Sequence, residues 1–271
     1  MKVFANLTSY NEEYFINEVV ASIHDFVDYI CIIDVGMENI VSRGASLHSN
    51  DKSVEIVKAW QNKSKKIHLI QPKDPPKTFP ELGMYGLNLA KELKCDWFFS
   101  VGLDEIYDKN CIIPMRNILA NCERNGIMGI NLSMYGFCPD FYHYYDFYNP
   151  RIGRITDDCT MPFSSCDILY WPKLKAWQSI ELDRVPEYIR KINFDYPKFL
   201  KVFHYTCVGK ERIKFKYEFY KTYKDNIGAE HYEHYMNKDW DYFKNVMKCK
   251  EFTGKHPEIM QKHPLFNEKL Y

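Results

Sequence analysis

Apolar residues along the first hundred positions follow two rhythms. Short runs rich in β-branched and aromatic side chains, Val3 to Leu7, Tyr29 to Val35, Lys66 to Gln71 and Asp96 to Val101, read as strands. Between them, apolar positions return every three or four residues, most clearly Phe15, Ile16, Val19, Val20 and Ile23, which predicts a helix over Asn11 to Ile23. Ser53 to Trp60 and Leu82 to Leu93 read as helices in the same way, and Pro75, Pro76 and Pro80 place KDPPKTFPE in a loop. Strand, helix and strand in repeated alternation is the pattern of βαβ units, so the chain is read as α/β with a mainly parallel sheet flanked by helices.

Beyond residue 110 the rhythm weakens. Met128 to Ser133 reads as a strand, and the next segment, YGFCPDFYHYYDFYNP, is too turn-rich and irregular for a helix and is read as an insertion on the side of the chain's second half. Phe199 to Tyr205 reads as a late strand, Glu211 to Asn226 as a helix rich in lysine and aromatic residues, and EFTGKHPEIMQKHP as part of a polar tail. The organisation expected is a catalytic domain over 1–208, divided into halves 1–110 and 111–208, with a helical C-terminal extension over 209–271.

Composition narrows the classes. The 36 basic residues cancel the 36 acidic ones, so no global field favours nucleic acid or an anionic membrane, and no nucleic-acid partner is expected. Nine cysteines carry no CxxC pair or regular framework, which points to reduced, buried thiols in a cytosol-like compartment. The start of the chain has no basic segment followed by a long apolar run, and nowhere do roughly 18 apolar residues stand together. A soluble cytoplasmic protein is the expectation.

The most informative point is the end of the run Asp96 to Val101, which delivers Gly102, Leu103, Asp104 and Glu105. Open α/β sheets bind their ligands at the carboxyl ends of strands. Two adjacent carboxylates there either cap a solvated turn or supply the oxygen ligands that magnesium and manganese prefer. Asn11 either caps the first helix or stands in a binding loop with Glu12. A lone His204 in KVFHYT is more often structural than a ligand.

The order of NLTSYNEE after the first strand, IIDVG at the end of the second, and DWFFSVGLDEIY at the end of a later one resembles the family 2 type of nucleotide-sugar glycosyltransferases, with the A-type glycosyltransferase fold. The resemblance spans about residues 1–110 and resumes near the C-terminus. It implies a metal-dependent hexosyl transfer from a UDP-, GDP- or dTDP-sugar to a glycan, glycolipid or glycoprotein acceptor, with inversion at the anomeric carbon. It implies Mn2+ or Mg2+ held by Asp104, with Glu105 and His204 as further ligands, and nucleotide contacts at Thr8, Asn11, Glu12, Asp34 and Leu103. Gly102 stands where the family's acidic motif has its first acid, so the motif is reduced to Asp104 and its neighbour.

Inversion requires a base for the acceptor hydroxyl. The resemblance places it after an aromatic stretch, and KAWQSIELDRVPEY offers Glu181 first, Asp183 second and Glu187, with Asp167 upstream. Trp171, Trp177 and the tyrosines from Tyr142 to Tyr148 either stack on sugars or pack a core, and the lysine-rich helix either rests on a membrane surface or covers a buried aromatic stripe. Two rivals stand beside this reading. A nucleotidyltransferase would carry a glycine-rich phosphate loop after the first strand, which NLTSYNEEY lacks. A catalytically inactive carbohydrate- or nucleotide-binding scaffold could keep the fold while losing the acid that Gly102 replaces.

Overall fold

The computed structural model describes residues 1–161, 169–174, 176–177, 193–195, 201–221, 229–237 and 239–267. β1 (Val3–Ser9), β2 (Tyr29–Asp34), β3 (Ile67–Ile70) and β4 (Trp97–Val101) form a parallel block in the order β3-β2-β1-β4. Between them run α1 (Ile16–Ile23), the short α2 (Glu38–Val41), α3 (Ser53–Lys63) and α4 (Phe79–Glu92).

Both faces of this block are buried, as parallel sheets require when helices cover them. On β1, Val3, Ala5 and Leu7 join the core under α1, whereas Phe4 joins the opposite core under α4 with Leu82, Leu87 and Ala90. The strand period of two thus sorts one run of apolar residues onto two helical layers. Trp171 is buried in the second core, and its indole N–H donates to the Arg154 carbonyl at 2.9 Å, so this ring packs the interior.

α4 begins three residues earlier than expected. Thr78 is its N-cap, accepting from the Glu81 amide, and Pro80 falls in the first turn, where no partner for its missing N–H is needed. α1, by contrast, begins at Ile16, so Asn11 does not cap it. After β4 come β5 (Glu105–Ile106), α5 (Lys109–Ile112) and α6 (Met115–Arg124).

The aromatic segment after Ser133 is no insertion. It forms the end of β6 (Gly129–Phe137) and most of β7 (His143–Arg154), an antiparallel pair inside the main sheet, with β7 also bonded to β4. Its irregular pattern arises because most of β7 is only half covered, and tyrosine suits such surfaces. β8 (Tyr170–Trp171) and β9 (Ala176–Trp177) make a small separate ribbon. β10 (Asn193–Asp195) and β11 (Lys201–His204) both pair with β6 in parallel, and β11 carries β5 antiparallel on its other side. The result is a curled, mixed and mainly parallel α/β sheet flanked by helices.

The described C-terminal part holds α7 (Lys210–Lys221), α8 (Ala229–Met236), a π-helical turn at Tyr242–Val246, β12 (Lys250–Glu251) and α9 (Glu258–Gln261). The chain beyond β12 is less polar in effect than in composition. Met260 is buried, and Phe252, Leu265 and Phe266 pack on the principal core. Two histidines staple this stretch down: His263 Nε2 donates to the Tyr14 carbonyl at 2.6 Å, and His256 Nε2 donates to the Phe141 carbonyl at 2.9 Å. That leaves His256 Nδ1 to accept from the Tyr205 hydroxyl at 2.8 Å. The eight described cysteines are free and seven of them are buried, in line with their reading as small apolar residues. Among the described residues no helix is long and apolar enough to cross a membrane.

Burial pushes His256 down to about 4, so the folded protein refuses a proton that the unfolded chain accepts from about pH 6.5 downward. Its contribution is complete above pH 6.5 and is lost as pH falls toward 4. Urea unfolding of wild type and His256→Gln across that window should show wild type losing stability more steeply, by up to about 1.4 kcal/mol per pH unit. Parallel curves would show that His256 is not held neutral.

Candidate functional site

The site grows from the end of β4. After Val101 the chain turns tightly, the Glu105 amide donating to the Gly102 carbonyl at 3.1 Å, and enters β5 beside β11. In that antiparallel pair Glu105 stands directly opposite His204, and the Tyr205 amide donates to the Asp104 carbonyl at 2.8 Å. Directly opposed residues share a face. Residues a hundred positions apart are thereby brought together, and Asp104, Glu105 and His204 each offer a ligand atom, all within 4.8 Å of one another.

Glu105 is fully buried and clamped. The Arg151 Nε donates to its Oε1 and Oε2 at 2.9 and 3.0 Å, the Arg151 Nη2 adds a very short contact to Oε1, and the Tyr107 hydroxyl donates to Oε2 at 2.6 Å. Burial raises the Glu105 carboxyl, but Arg151 outweighs it and holds the group below its ordinary value. Arg151 reaches it through a β-bulge: Ile130 pairs with Ile152 and Asn131 with Pro150, so Arg151 is the extra residue of β7. Bulges re-aim side chains in this way.

Gly102 makes room for the pair. A Cβ there would lie 2.8 Å from Glu105 Oε1 and 3.1 Å from Asp104 Oδ1. An acid at position 102 would push directly against the carboxylate that Arg151 neutralises. The space an acidic side chain at 102 would need is taken by the Glu105 carboxylate.

Asp104 is 6% exposed and bonded on both oxygens. His204 Nε2 lies 3.1 Å from Oδ1, while Arg212 Nη2 and Lys216 Nζ approach Oδ2 at 2.8 and 2.6 Å. Burial raises this carboxyl, yet His204, Lys216 and Arg212 together hold it well below the usual carboxylate range. Both cations come from α7, four residues apart and therefore on one face. Arg212 also bridges to Glu12, its Nε 3.0 Å from Oε2, tying the loop after β1 to the same cluster.

That loop is braced from behind. Asn11 takes a left-handed φ of 55°, which asparagine tolerates, and its amide donates to Ser49 Oγ at 2.8 Å. Ser49 passes the bond on to Asp34, whose other oxygen accepts from Gln71 Nε2 at 2.9 Å. Asp34 is buried, with both oxygens engaged inside the protein, and it holds the wall formed by the loop around Ser49.

Two adjoining hollows open at the carboxyl end of β1, with volumes of about 140 and 380 Å³. The smaller is lined by Thr8, Glu12 and Lys216 beneath Phe215, Phe219 and Tyr220; the larger takes in Asn11 and Arg43. Tyr10, Phe215 and Phe219 border both. The aromatic side chains of the lysine-rich helix therefore face the protein, and Tyr220 stacks on Tyr232 with ring centroids 5.6 Å apart.

Of the residues expected at a site, the structure joins Glu12, Asp104, Glu105 and His204 in one ionic cluster and puts Thr8, Asn11 and Glu12 on the hollows. Asp34 supports the wall and lines neither hollow, and the Leu103 side chain belongs to the principal core. Asp167, Glu181, Asp183 and Glu187 lie outside the described residues. Arg151, Arg212 and Lys216 were missed by sequence reasoning, since basic residues on a bulged strand and a charged helix carry no motif; the four-residue spacing of Arg212 and Lys216 is the only signal.

A divalent cation is testable against this donor set. Asp104 Oδ1 and His204 Nε2 stand at the separation of neighbouring ligands around an octahedral ion with bonds of about 2.1 Å. The His204 Nδ1 is buried and takes no hydrogen bond among the described residues. Two hard or borderline donors side by side fit such an ion, whereas the oxygens of Glu105 are already committed to Arg151 and Tyr107.

No family model matches the chain, and no curated protein matches it, so the family 2 resemblance rests on the motifs themselves. Among solved structures, TarS of S. aureus is similar over 92% of this chain and 44% of its own, with 13% identity and a TM-score of 0.47. A shorter TarS structure, of residues 1–349, gives 0.45 at 13% identity over 92% and 73%. A cytidylyltransferase from Leptospira borgpetersenii gives 0.37 at 10% identity over 94% and 98%. The chain spans less than half the length of the full TarS structure. These are distant likenesses, and none of them carries a functional assignment.

Replacing Arg151 by Met should strand a buried carboxylate and cost about 3–5 kcal/mol in urea unfolding. Adding Glu105→Gln to it should recover most of that loss, because no buried charge is then left unpaired. A single-variant loss under about 1 kcal/mol would show that the clamp contributes little.

Proposed function

We propose that the chain is a glycosyltransferase that takes a sugar from a nucleotide-diphosphate donor and passes it to an acceptor hydroxyl. The observation that carries the reading is the Asp104 and His204 donor pair, joined through Lys216 to a hollow lined by aromatic side chains at the carboxyl end of β1. Ligands of open α/β sheets bind at such ends, where strand order reverses, and here β1 lies between β2 and β4.

In this reading Tyr10, Phe215 and Phe219 offer faces on which a nucleobase stacks. Asn11 and Glu12 hold the loop that borders it, and Asp34 acts through that wall. Asp104 and His204 hold the divalent cation, with Glu105 as the fixed acid behind them. Bound there, Mn2+ or Mg2+ would draw off the charge that grows on the leaving diphosphate. The acceptor proton goes to Glu181 or Asp183, chosen on sequence alone, and transfer proceeds with inversion. A glycan, glycolipid or glycoprotein acceptor fits the chemistry.

Calorimetric titration of UDP, GDP, dTDP and CDP, each with Mn2+ and with chelator, tests this on wild type and Asp104→Asn, with thermal melts as the folding control. The expected result is metal-dependent binding of one nucleotide by wild type, weakened at least about tenfold in the variant. Failure of every nucleotide to bind wild type in the presence of metal would refute the reading.

A further inference from the structure

Arg212 and Lys216 reach the same oxygen of Asp104, yet the two cations differ in freedom. Arg212 is 1% exposed and distributes its guanidinium over Glu12, Asp104 and the carbonyls of Tyr205 and Thr206. It is fixed on every side. Lys216 keeps 13% of its side chain exposed and lines the smaller hollow beside Thr8 and Glu12. An ammonium has three donors on a flexible four-carbon stem, so it can turn from one acceptor to another without moving the helix.

Charge balance gives this freedom a use. Leaving aside the His204 imidazole, the carboxylates of Glu12, Asp104 and Glu105 face the cations of Arg151, Arg212 and Lys216, three against three. A divalent cation adds two positive charges, and the diphosphate of a nucleotide sugar adds two negative ones. Either one alone unbalances the cluster, and the two together restore it. A metal ion on Asp104 also meets the Lys216 ammonium, 2.6 Å from Oδ2, as a like charge in a poorly solvated place. Turning toward the hollow relieves that repulsion and points the ammonium at the space where the proposed donor would enter.

We infer that Lys216 is the diphosphate-binding residue of the site, and that without metal it serves as the counter-charge of Asp104 which a divalent cation displaces. The inference rests on the nucleotide-sugar reading above. Lys216 then couples the two ligands: metal on Asp104 releases the ammonium, and the released ammonium favours the anion.

The test titrates the whole protein with UDP, GDP, dTDP and CDP in Mn2+, with the corresponding nucleosides, and with Mn2+ alone, comparing wild type, Lys216→Met and Lys216→Arg. Loss of one charge-assisted contact predicts that Lys216→Met weakens the bound diphosphate about tenfold or more and leaves nucleoside affinity within about twofold. Mn2+ alone should bind more tightly to Lys216→Met, because the competing ammonium is gone, and Lys216→Arg should restore most of the diphosphate affinity. Equal diphosphate affinity in wild type and Lys216→Met overturns the inference while leaving the glycosyltransferase reading intact. An equal loss for nucleoside and diphosphate also overturns it, marking a structural role, and unchanged or weaker Mn2+ binding overturns the displacement. If wild type binds no nucleoside diphosphate, the reading beneath fails and the inference falls with it.

Discussion

Two carboxylates with almost no access to water must be neutralised for this chain to fold as it does. Burying an unpaired carboxylate costs far more than any single packing contact returns. Asp104 and Glu105 are adjacent in sequence, so the cost arises twice at one turn, and each acid has its own solution. Glu105 receives a rigid, multiply bonded arginine from the sheet, whereas Asp104 receives an imidazole from β11 and two cations from a helix. The first arrangement is closed. The second leaves a lysine at the edge of a hollow.

These partners explain otherwise puzzling features of the fold. The bulge in β7 exists at the position where an arginine must turn toward Glu105. The short β5 is only two residues long, yet it sets His204 opposite Glu105 and so fixes the imidazole beside Asp104. The side chain of Arg212 is buried despite its charge because four acceptors surround it, two carboxylates and two carbonyls. Each of these is a small local irregularity, and each has its cause at the same acidic turn.

The parallel half of the sheet was legible in the sequence because both its faces are buried, which leaves continuous apolar runs such as YICIID with nothing ambiguous between them. The position of Asp104 and Glu105 emerged from the same pattern. The start of β6 was legible as a strand over Met128 to Ser133, but its end and β7 were not, for the converse reason: half-covered tyrosines read as irregular chain, although they form the middle of the sheet. Pro80 misled similarly, since a proline breaks a helix interior but suits its first turn. His204 was found through its sequence surroundings, whereas Arg151, Arg212 and Lys216 depend on tertiary pairing and have no local signature. The need for glycine at 102 is tertiary as well, since a Cβ there would meet the Glu105 carboxylate.

The pairing of Glu12 with Arg212 spans 200 positions, and that of Tyr14 with His263 spans 249. During synthesis the parallel block can assemble from the first hundred residues, since its contacts are local to βαβ units. Its two acids then wait at an open sheet edge for cations that emerge from the ribosome much later. Until α7 docks, water or a proton must satisfy Asp104, and the smaller hollow lacks the lining that Phe215, Lys216, Phe219 and Tyr220 supply. Contacts of such high sequence separation slow the last step of folding and expose partly built sheets to association. The partly built sheet is therefore most exposed to association between the release of β5 and the arrival of α7, and the hollow beside Lys216 is among the last parts to form.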